Sequence, residues 1–508
     1  MSFGGGSGSS SIAGSTDVAL NAPANNQILG YNTSLAKWQN QAQATGGGTE
    51  SVLDYGATGD GVTDDTTAIN AAITAAVVGA TVLIPHGKTF MVNADYNAGK
   101  AIRPKSGVNI RIEGTLQAIT NTVANSAVIL SENKSNFTIT GSGTILGERL
   151  THVGSTGEGG MCVRIEGGAN IAISGLALKN GFGDGLYVGI FGAGPGTEAK
   201  GLRVSGVRVA NNRRNGVSVT GGIGITFTGC TFEDTNGTDP QAGIDLEPNV
   251  GTIVRAVTIT GNTFRNNFNY GVQTTANTSD VTITGNVFDG SHAITAIRLA
   301  GTDTVVASNT IRGGTKGIYA GIAARSTITG NRVNGTTDRG IDVSWSDDST
   351  ITGNAVTDTN KAGIYLRGQA NFTCTGNIVS RCGGTTDNGI TAAYGSGYIN
   401  GNGIIADNVV TNAALHGIQC AMPNVHIHDN MITGASSNST GVSYGIYVLA
   451  STTTDCLVNR NVLRVGSAGQ QVQYGIMIAT GVLRTEVLDN NFGPGSFLTA
   501  NIRNDGTP

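Results

Sequence analysis

Two carboxylates occupy alternate positions of one short segment, Ala242–Pro248, whose sequence is AGIDLEP. Side chains two positions apart share one face of a β-strand, so Asp245 and Glu247 project together from backbone positions about 6.6 Å apart. Ile244 and Leu246 then face the opposite side. Inverting glycoside hydrolysis uses two carboxyl groups roughly 6.5–9.5 Å apart, one as acid and one as base. The segment therefore predicts acid–base chemistry on a glycan, with the two roles open between the two carboxylates.

The elements that must hold these carboxylates are short repeats. The octet VTITGNTF, which begins at Val257, returns as VTITGNVF at Val281, 24 residues later. Self-similarity at a fixed period of 20–50 residues indicates a solenoid or an array. Inside the octet, apolar Val281 and Ile283 alternate with Thr282 and Thr284, which indicates half-buried strands. A repeat this short has room for strands and turns but not for a helix, so we predict a coil of stacked strands.

A TGN-like corner gives the register of the coils. The Asn of this corner recurs at Asn262, Asn286, Asn309, Asn331, Asn354, Asn377, Asn408, Asn430, Asn461 and Asn490. Inward Asn side chains at one corner can bond to one another as a ladder, so we interpret them as structural. About 14 registered coils at about 4.8 Å spacing make a rod about 65 Å long. We predict an all-β solenoid.

A second strand follows a Gly–apolar pair in each coil, and its register assigns one outward side chain to each coil. We call this set the outward column: Tyr187, Ser218, Asp245, Gln273, Arg298, Tyr319, Asp342, Tyr365, Thr391, Gln419, Tyr447 and Met477. Aromatic rings and charged groups on one face suit a sugar chain. The residues that we predict to contact substrate are Tyr187, Arg298, Tyr319, Arg339, Asp342 and Tyr365.

Two further residues could complete a site with Asp245. Asp184 lies two coils earlier, about 9.5 Å along the stack if the columns align, and is the alternative carboxylate partner. Arg298 lies two coils later, and its guanidinium suits a carboxylate or an acidic sugar. Long loops on a rigid scaffold are where sites are built. Three insertions bracket these coils, at Gly147–Gly160, Gly192–Lys200 and Thr235–Gln241.

Other candidate ligands have structural interpretations. The cysteines fall mainly at apolar positions of their strands and indicate buried small hydrophobes, although Cys374 and Cys382 could pair. His426 and His428 would face outward together, but no third ligand for a metal is evident beside them. We therefore predict no metal site.

Composition excludes some classes of protein. The formal net charge of −4 argues against a nucleic-acid-binding protein, which carries a basic footprint. The chain has no run of about 18 apolar residues, so we expect no membrane span. Its first residues, MSFGGGSGSSS, lack the basic and apolar regions of a secretory signal peptide, so we expect synthesis in a cytoplasm.

A longer motif lies ahead of the coils. Ser51–Val92 contains D-Y-G-A-x-G-D-G-x-x-D-D-T-x-A-I from Asp54 to Ile69, then Ile84-Pro85-His86-Gly87. This pattern resembles the opening of the pectate-lyase-like family, with His86 where that family usually has Pro. The resemblance implies a right-handed parallel β-helix, and the handedness agrees with the rule for parallel crossovers. Pectate lyases use Ca²⁺ held by a cluster of Asp, which we do not find in register; we predict no cofactor, with Ca²⁺ implied only if the protein is a lyase.

The same segment predicts a short capping helix. Asp64 and Asp65 stand at its start, where carboxylates satisfy free N–H groups and interact favourably with the helix dipole. One apolar stripe follows, at Ala68, Ile69, Ala72, Ile73, Ala76 and Val77. Such a helix can cover the open end of the stack, which would otherwise expose unpaired strand edges.

The N-terminal region carries a second resemblance. Asp17–Gln41 has Asp17-Val18, Leu20, Pro23, Gln27-Ile28-Leu29, Tyr31-Asn32, Lys37-Trp38 and Asn40 at spaced positions. These positions resemble a segment near the N-termini of bacteriophage tail fibre and tail spike proteins. The resemblance implies a virion tail protein, assembled in the host cytoplasm, whose N-terminus joins phage tail or baseplate proteins. It also implies a homotrimer that binds, and often cleaves, the surface polysaccharide of a bacterial host.

We divide the chain into four parts: a flexible N-terminus with the attachment segment (1–45), a linker with the capping helix and first strands (46–107), the parallel β-helix (108–492) and a C-terminal tail (493–508). The predicted function is a tail spike that cleaves host polysaccharide by hydrolysis, with Asp245 and Glu247 as acid and base. The alternatives are a polysaccharide lyase on the same scaffold, which would give unsaturated products, and a non-enzymatic glycan-binding or structural tail protein.

Overall fold

The chain is described by a computed structural model. It describes residues 47–506, except 155, 195, 291, 396–400, 436–441, 450–452, 467–471, 494–496 and 498–499, together with three strands between residues 18 and 42. The predicted flexible N-terminus and parts of the segment Asp17–Gln41, including Leu20 and Pro23, lie outside the described residues. The described coils form three parallel sheets, which we call sheets I, II and III in the order in which a regular coil meets them.

Sheet I consists of Thr49–Ser51, Thr81–Ile84, Asn109–Ile112, Phe137–Thr140, Ile171–Ser174, Ala199–Lys200, Arg203–Ser205, Gly222–Thr228, Val254–Thr260, Thr278–Thr284, Thr302–Ala307, Thr327–Thr329, Thr350–Thr352, Thr373–Thr375, Gly403–Ala406, Val425–His428, Leu457–Asn459 and Glu486–Leu488. Sheet II consists of Asp60–Asp64, Thr89–Val92, Thr115–Ala118, Thr144–Leu146, Ala177–Lys179, Arg208–Ala210, Thr231–Glu233, Thr263–Arg265, Val287–Asp289, Thr310–Arg312, Arg332–Asn334, Ala355–Thr357, Ile378–Ser380, Val409–Thr411, Met431–Thr433, Val462–Arg464 and Asn491–Phe492. Sheet III consists of Ala127–Glu132, Met161–Glu166, Leu186–Gly189, Val217–Val219, Ala242–Leu246, Tyr270–Thr274, Thr295–Leu299, Lys316–Gly321, Ile341–Ser344, Ile364–Arg367, Ile390–Ala393, Ile418–Cys420, Ser443–Val448, Val472–Ile478 and Ala500–Asn504.

Each strand buries alternate side chains inside the coil. In the two octets that begin at Val257 and Val281, Val257 pairs with Val281 and Ile259 with Ile283, and all four are buried while the threonines between them face outward. On sheet II the rings of Phe232, Phe264 and Phe288 stack in one column, with centroids 5.1 and 4.6 Å apart. The predicted right-handed parallel β-helix is therefore confirmed, with one continuous core running along the stack.

The predicted asparagine ladder is present at the corner between sheets I and II. Asn331 shows its pattern: the side-chain amide donates to Asn354 Oδ1 at 3.0 Å and to the Val306 carbonyl at 2.9 Å. Its own Oδ1 accepts from the backbone and the side chain of Asn309. The same contacts link Asn262 through to Asn490. These buried amides satisfy one another, which fixes both the corner and the stacking register.

The capping helix spans Thr66–Ala75, behind a short 3₁₀ helix at Val52–Tyr55. Asp64 caps it as predicted, accepting from the backbone N–H of Thr66 at 3.0 Å. Asp65 does something else: it turns away and accepts from the backbone of Thr58 and Gly59, so it holds the preceding loop.

The apolar stripe of the helix packs on the core at Ile69, Ala72, Ile73 and Ala76. Val77, predicted in the same stripe, is exposed because it follows the helix end, where the chain leaves the core. The helix thus covers the end of the stack where sheet III has not yet begun.

Both ends of the chain contain strands. Gln27–Asn32 and Lys37–Ala42 form an antiparallel pair, with Val18–Ala19 parallel to the second strand. At the other end, Ala500–Asn504 pairs with Val472–Ile478 and adds a strand to sheet III. The predicted tail at 493–508 is therefore wrong in part, since its Ile502 continues the Ile446–Ile476 row of the sheet.

The six cysteines are buried and free, so the considered Cys374–Cys382 bridge does not form. In the part of the chain that the structure describes, no helix has the length and apolar character to cross a membrane.

Candidate functional site

The outward column lies on sheet III in the predicted register. Pairing runs from Tyr187 to Ser218, Asp245, Gln273 and Arg298, and then onward to Met477. The recurring glycine ahead of it is required by packing: a Cβ at Gly243 would stand 2.7 Å from the Gly271 carbonyl oxygen and 2.8 Å from the Phe264 ring. The Gly–apolar pair thus fixes where each outward side chain begins.

Asp245 points outward, yet it has no exposed surface. Its neighbours in adjacent coils cover it: Asn215 Nδ2 donates to Oδ2 at 3.3 Å, and Gln273 Nε2 donates to Oδ1 at 3.1 Å. The outward direction is as predicted, and the side chain is nevertheless buried because polar side chains stacked at coil spacing can cover one another. Burial, followed by the charge of Glu247, raises the pKa of Asp245 to about 7.

Glu247 is the carboxylate that reaches solvent, with 45% of its side chain exposed. Its backbone N–H donates to the Val219 carbonyl at 2.9 Å, which anchors it to the preceding coil. Its charge is the second cause of the raised pKa of Asp245, after burial. Glu247 is thus the exposed carboxylate of this strand and Asp245 the buried one.

Asp184 does not stand in the outward column. It precedes Gly185 and Leu186, and the pairing of Leu186 with Val217 puts it in the row of Asn215. The predicted alignment with Asp245 is therefore wrong by three positions, because the carboxylate belongs to the corner before the strand. Asn215 nevertheless links the two, since its backbone N–H donates to Asp184 at 3.0 Å while its side chain donates to Asp245.

Arg214 is the cation at the centre of this group. Its guanidinium lies 3.5 Å from Asp184, 3.8 Å from Glu247 and 3.3 Å from Glu158. Asp184 is fully buried, and this burial raises the pKa of its carboxyl group despite the guanidinium beside it. Three carboxylates thus share one guanidinium group, which holds the exposed Glu247 in place.

A groove opens over Glu247. It has a volume of about 380 Å³ and is lined by Arg214, Asp239, Pro240, Glu247, Asn269, Tyr270, Gln273, Ile294 and Arg298. We call it the Arg214–Arg298 groove. Arg298 donates to Gln273 at 2.9 Å, and its guanidinium lies 5.7 Å from the Tyr270 ring. Among the described residues, Arg298 has no carboxylate partner, unlike Arg214.

Two of the three predicted insertions wall the groove. Glu158 of Gly147–Gly160 reaches Arg214, and Asp239 and Pro240 of Thr235–Gln241 line the opening. The two loops are tied together, because Arg213 donates to both the Gly157 carbonyl and Thr238 Oγ1. The third insertion, Gly192–Lys200, lies at the opposite edge of sheet III and lines a different cavity.

The aromatic members of the column are less available than predicted. A cation covers one face of each of the three tyrosines predicted to contact substrate: Arg164 lies 4.4 Å from Tyr187, Lys316 lies 4.6 Å from Tyr319, and Arg339 lies 3.6 Å from Tyr365. Asp342 is buried and pairs with both Lys316 and Arg339 at 2.8 Å. Of the predicted substrate contacts, only Arg298 lies in the groove with Glu247.

The described residues hold no group of three His, Cys, Asp or Glu side chains with the arrangement of a metal site. His426 contacts Asn459 at 2.9 Å, and His428 contacts Asp429 at 2.7 Å. Each histidine is thus engaged with a neighbour on its own sheet or corner.

Sequence reasoning missed four residues of the site: Arg214, Asn215, Asp239 and Tyr270. Arg214 and Asn215 precede the Gly–apolar pair of their coil directly, at the positions that precede Gly185 and Gly243 in the neighbouring coils. Reading the two corner residues ahead of each pair, as well as the outward position after it, would have found Asp184 and Asn215 in one row.

Comparison with known proteins gives partial matches to three family models. The model for "Right handed beta helix region" matches residues 105–288, and "Rhamnogalacturonase A/epimerase, pectate lyase-like" matches residues 50–144. The model for "Periplasmic copper-binding protein (NosD)" matches residues 277–400. The fold is a right-handed parallel β-helix, and the pectate-lyase-like match is confined to its N-terminal part. The resemblance found at Ser51–Val92 is thereby confirmed.

Individual proteins match at low identity. The uncharacterized protein YclG of Bacillus subtilis is 29% identical over 283 residues, 51% of this chain, and the chain spans 48% of its length. Among solved structures, the pre-mature form of bacteriophage phi29 gene product 12 has a TM-score of 0.58 and 13% identity, covering 87% of this chain and 73% of that one. The N-terminal fragment of the same phi29 protein has a TM-score of 0.50 and 15% identity, covering 90% and 91%.

Proposed function

We propose that the Arg214–Arg298 groove binds a polysaccharide and that Glu247 acts there as an acid–base catalyst that cleaves it. The observation that carries the proposal is a groove in which the half-exposed Glu247, with the buried Asp245 two positions before it, lies between the guanidinium groups of Arg214 and Arg298. When two carboxyl groups lie in different environments, their pKa values differ, and one of them can stay protonated near neutral pH.

Glu247 is the proton donor in this proposal. Asp245, with a pKa of about 7, is the carboxyl group that holds a proton near neutral pH, and in this proposal that proton passes through Glu247 to the glycosidic oxygen. Asp245 touches no substrate, since it is buried; it is a positioning residue that returns a proton to Glu247.

Hydrolysis needs a second carboxylate to take a proton from water. Asp245 does not fill this role, because it is fully buried and cannot reach one side of a sugar bond. Asp239 is the other carboxylate in the groove, and it is held by Asn269 Nδ2 at 2.9 Å. We assign it as the base. The leaving sugar gains the proton of Glu247, and the attacking water loses one to Asp239.

One observation favours a lyase as the second candidate. Arg298 lines the groove without a carboxylate partner among the described residues, so it can hold the carboxylate of a uronate. In that reaction Glu247 or Asp239 would remove the proton beside the uronate carboxylate, and the C–O bond to the leaving sugar would break as a C=C bond forms. Ca²⁺ remains a candidate cofactor for this alternative alone.

We also propose that the protein is a bacteriophage tail spike acting on host surface polysaccharide. The residues that support this are the spaced positions of Asp17–Gln41, and the phi29 protein with the same fold supplies a precedent for a phage protein. The segment would attach the spike to tail or baseplate proteins, and three copies would stand side by side. Light scattering after size exclusion should then give about three times the chain mass of 51.5 kDa.

The decisive experiment incubates the full chain with a panel of capsular and cell-wall glycans and measures reducing ends and unsaturated ends separately. New reducing ends without absorbance from unsaturated sugars support hydrolysis, and unsaturated ends support the lyase. Glu247→Gln should abolish either product, while Glu486→Gln, an exposed glutamate of sheet I far along the stack, should not. Binding without new ends of either kind would replace the enzyme with a glycan-binding tail protein.

A further inference from the structure

The insertion Gly192–Lys200 builds a second cavity, at the edge of sheet III opposite the groove. Its loop is closed by an antiparallel bridge between Ile190 and Glu198, and the backbone of Phe191 donates to the Thr197 carbonyl at 3.1 Å. The loop lies so close to the preceding coil that a Cβ at Gly167 would stand 2.8 Å from Phe191 Cβ. Residues flanking the cavity are therefore held in place by backbone contacts.

The cavity has a volume of about 390 Å³. Its lining includes Asn133, Ser135, Gly168, Phe191, Glu198 and Lys200. This volume falls in the range of small-molecule sites, which are about 300–1,000 Å³. We call it the Glu198 cavity. It shares no lining residue with the Arg214–Arg298 groove.

Glu198 is the unusual residue of this cavity. It is 2% exposed, and Oε2 accepts from the backbone N–H of Gly196 at 2.8 Å. Oε1 is buried and has no hydrogen-bond partner among the described residues. Buried polar atoms are nearly always bonded, so an orphan carboxylate oxygen that lines a cavity calls for a donor from outside the protein.

The other groups narrow the chemistry of that donor. Phe191 stands at the rim with 41% of its surface exposed, which offers an apolar face. Lys200 lines the cavity and donates to the Gly196 carbonyl at 3.2 Å, so a positive charge already stands near the carboxylate and disfavours a cationic ligand. A neutral molecule with hydroxyl donors on one side and C–H groups on the other satisfies all three residues.

We propose that the Glu198 cavity is a second sugar-binding site, which takes a neutral pyranose ring. A ring hydroxyl donates to Glu198 Oε1, the C–H face of the ring packs on Phe191, and a ring oxygen accepts from Lys200. The choice of a glycan as ligand rests on the proposed function, while the residues of the cavity are independent of the groove.

The position of the cavity suggests how a glycan runs. The cavity follows the ends of the strands Met161–Glu166 and Leu186–Gly189, whereas the groove runs along Ala242–Leu246, from Asp239 ahead of that strand to Glu247 after it. The strands Leu186–Gly189 and Ala242–Leu246 are two coils apart, which is about 10 Å along the stack. A polysaccharide that occupies both sites runs along the stack over sheet III, and the second site holds it while the groove cleaves.

The test measures binding of the methyl glycosides of glucose, galactose and N-acetylglucosamine to the full chain by saturation-transfer NMR. At least one should bind, and Glu198→Gln should weaken it about tenfold through loss of a charged hydrogen bond. Gln retains an oxygen that accepts from Gly196, so the loop should stay folded. Phe191→Ala should weaken binding as well, and Glu247→Gln should not.

No binding of the three probes up to their solubility, or binding that neither cavity variant changes, would overturn the proposal. Binding lost in Glu247→Gln as well would also overturn it, since the probe would then occupy the groove. The melting temperature of each variant shows whether a loss reflects unfolding; Glu198→Gln decides if Phe191→Ala is unstable. A chain that cleaves no glycan but binds a probe through Glu198 leaves this proposal standing and removes the proposed hydrolase.

Discussion

The same outward column serves two regions of the stack in different ways. In the coils from 184 to 298, Asp245 is hydrogen-bonded to Gln273, and Glu247 two positions later is exposed in a groove beside two long loops. In the coils from 316 to 367, the charges close on themselves, since Asp342 is paired with Lys316 and Arg339 and the tyrosines carry cations on their faces. The two regions therefore share a position on the scaffold but differ in their charged groups, which face a groove in the first region and pair with one another in the second.

The residue at the corner between sheets I and II also differs between earlier and later coils. From Asn262 onward each corner carries a ladder asparagine, whereas the earlier corners carry Leu176, Val207 and Cys230. The ladder does not set the length of a coil, since its asparagines are 22 or 23 residues apart in regular coils and 29 or 31 apart where later coils carry insertions. It fixes the corner in both kinds of coil, whereas apolar side chains fill the corner of the earlier coils.

The largest expected effect separates the two regions by function. Glu247→Gln should lower the rate of glycan cleavage about 1,000-fold with little change in melting temperature, because a positioned acid contributes about 10²–10⁴ and the side chain is half exposed. Asp342→Asn should do the reverse: the rate per folded molecule stays, while stability falls by about 1–3 kcal/mol as Lys316 and Arg339 lose a buried partner. Turnover and thermal unfolding of both variants check this. Equal rate losses would show that the groove is not the site.

The second prediction tests the ladder. Asn331→Ala removes four hydrogen bonds at once; the backbone N–H of Asn309 and the Val306 carbonyl lose their side-chain partner, while Asn354 Oδ1 keeps the backbone N–H of residue 331. We expect a loss of about 3 kcal/mol in the free energy of unfolding. The control is Thr329→Ala, an outward threonine of the same coil, for which we expect less than about 0.5 kcal/mol. Denaturant unfolding measures both, and a similar small loss in each would mean that the ladder does not stabilise the stack.

Much of this architecture could be predicted from the sequence because its period is explicit. The TGN corner sets a register, and with period-two alternation it places Asp245, Arg298 and Tyr365 in one column, as the pairing shows. The capping helix follows from its own motif and apolar stripe. The prediction is weakest at corners: Asp184 was considered as a partner of Asp245 on the condition that the two align, and it lies in the row of Asn215 instead, because corner residues have no fixed alternation.

Burial of the outward side chains could not be predicted from one strand. Asp245 is covered by Asn215 and Gln273, which lie in the coils on either side and are 30 and 28 residues away in sequence. Arg214 escaped notice for the same reason, since its three carboxylates come from an inserted loop and two separate coils. The shape of a solenoid site depends on contacts between coils, and the lengths of the insertions decide which residues meet.

The third prediction concerns pH and sharpens the contrast between buried and paired carboxylates. Burial raises the pKa of Asp245 from its ordinary acidic range to about 7 in the folded protein. Between about pH 4 and pH 7 the folded state then holds more protons than the unfolded state, so stability falls as pH rises. The contribution of Asp245 to stability is fully present below about pH 4 and is lost above about pH 7.

Asp245→Asn removes this titration. The variant should gain stability relative to the parent by on the order of 1–3 kcal/mol at pH 8, and little or nothing at pH 4. Asp184 also has a raised pKa, but it titrates in both proteins and cancels in the difference. Unfolding at several pH values gives the result, and a difference that stays constant from pH 4 to pH 8 would contradict the buried, protonated state of Asp245.

The smallest effect tests whether the loop wall matters to binding. Arg213 ties the two insertions by donating to the Gly157 carbonyl and to Thr238 Oγ1, and it is held from below by Phe182, whose carbonyl accepts from Nε at 2.6 Å. Arg213→Ala should loosen the wall and raise KM about tenfold, since misplaced substrate contacts cost on the order of 1–2 kcal/mol, while kcat changes less. The matched control is Arg381→Ala in the regular coils, where an exposed pair with Asp358 contributes little to stability and nothing to the groove. If both arginine variants bind substrate like the parent, the two insertions contribute nothing to substrate binding, and the groove is formed by the coils alone.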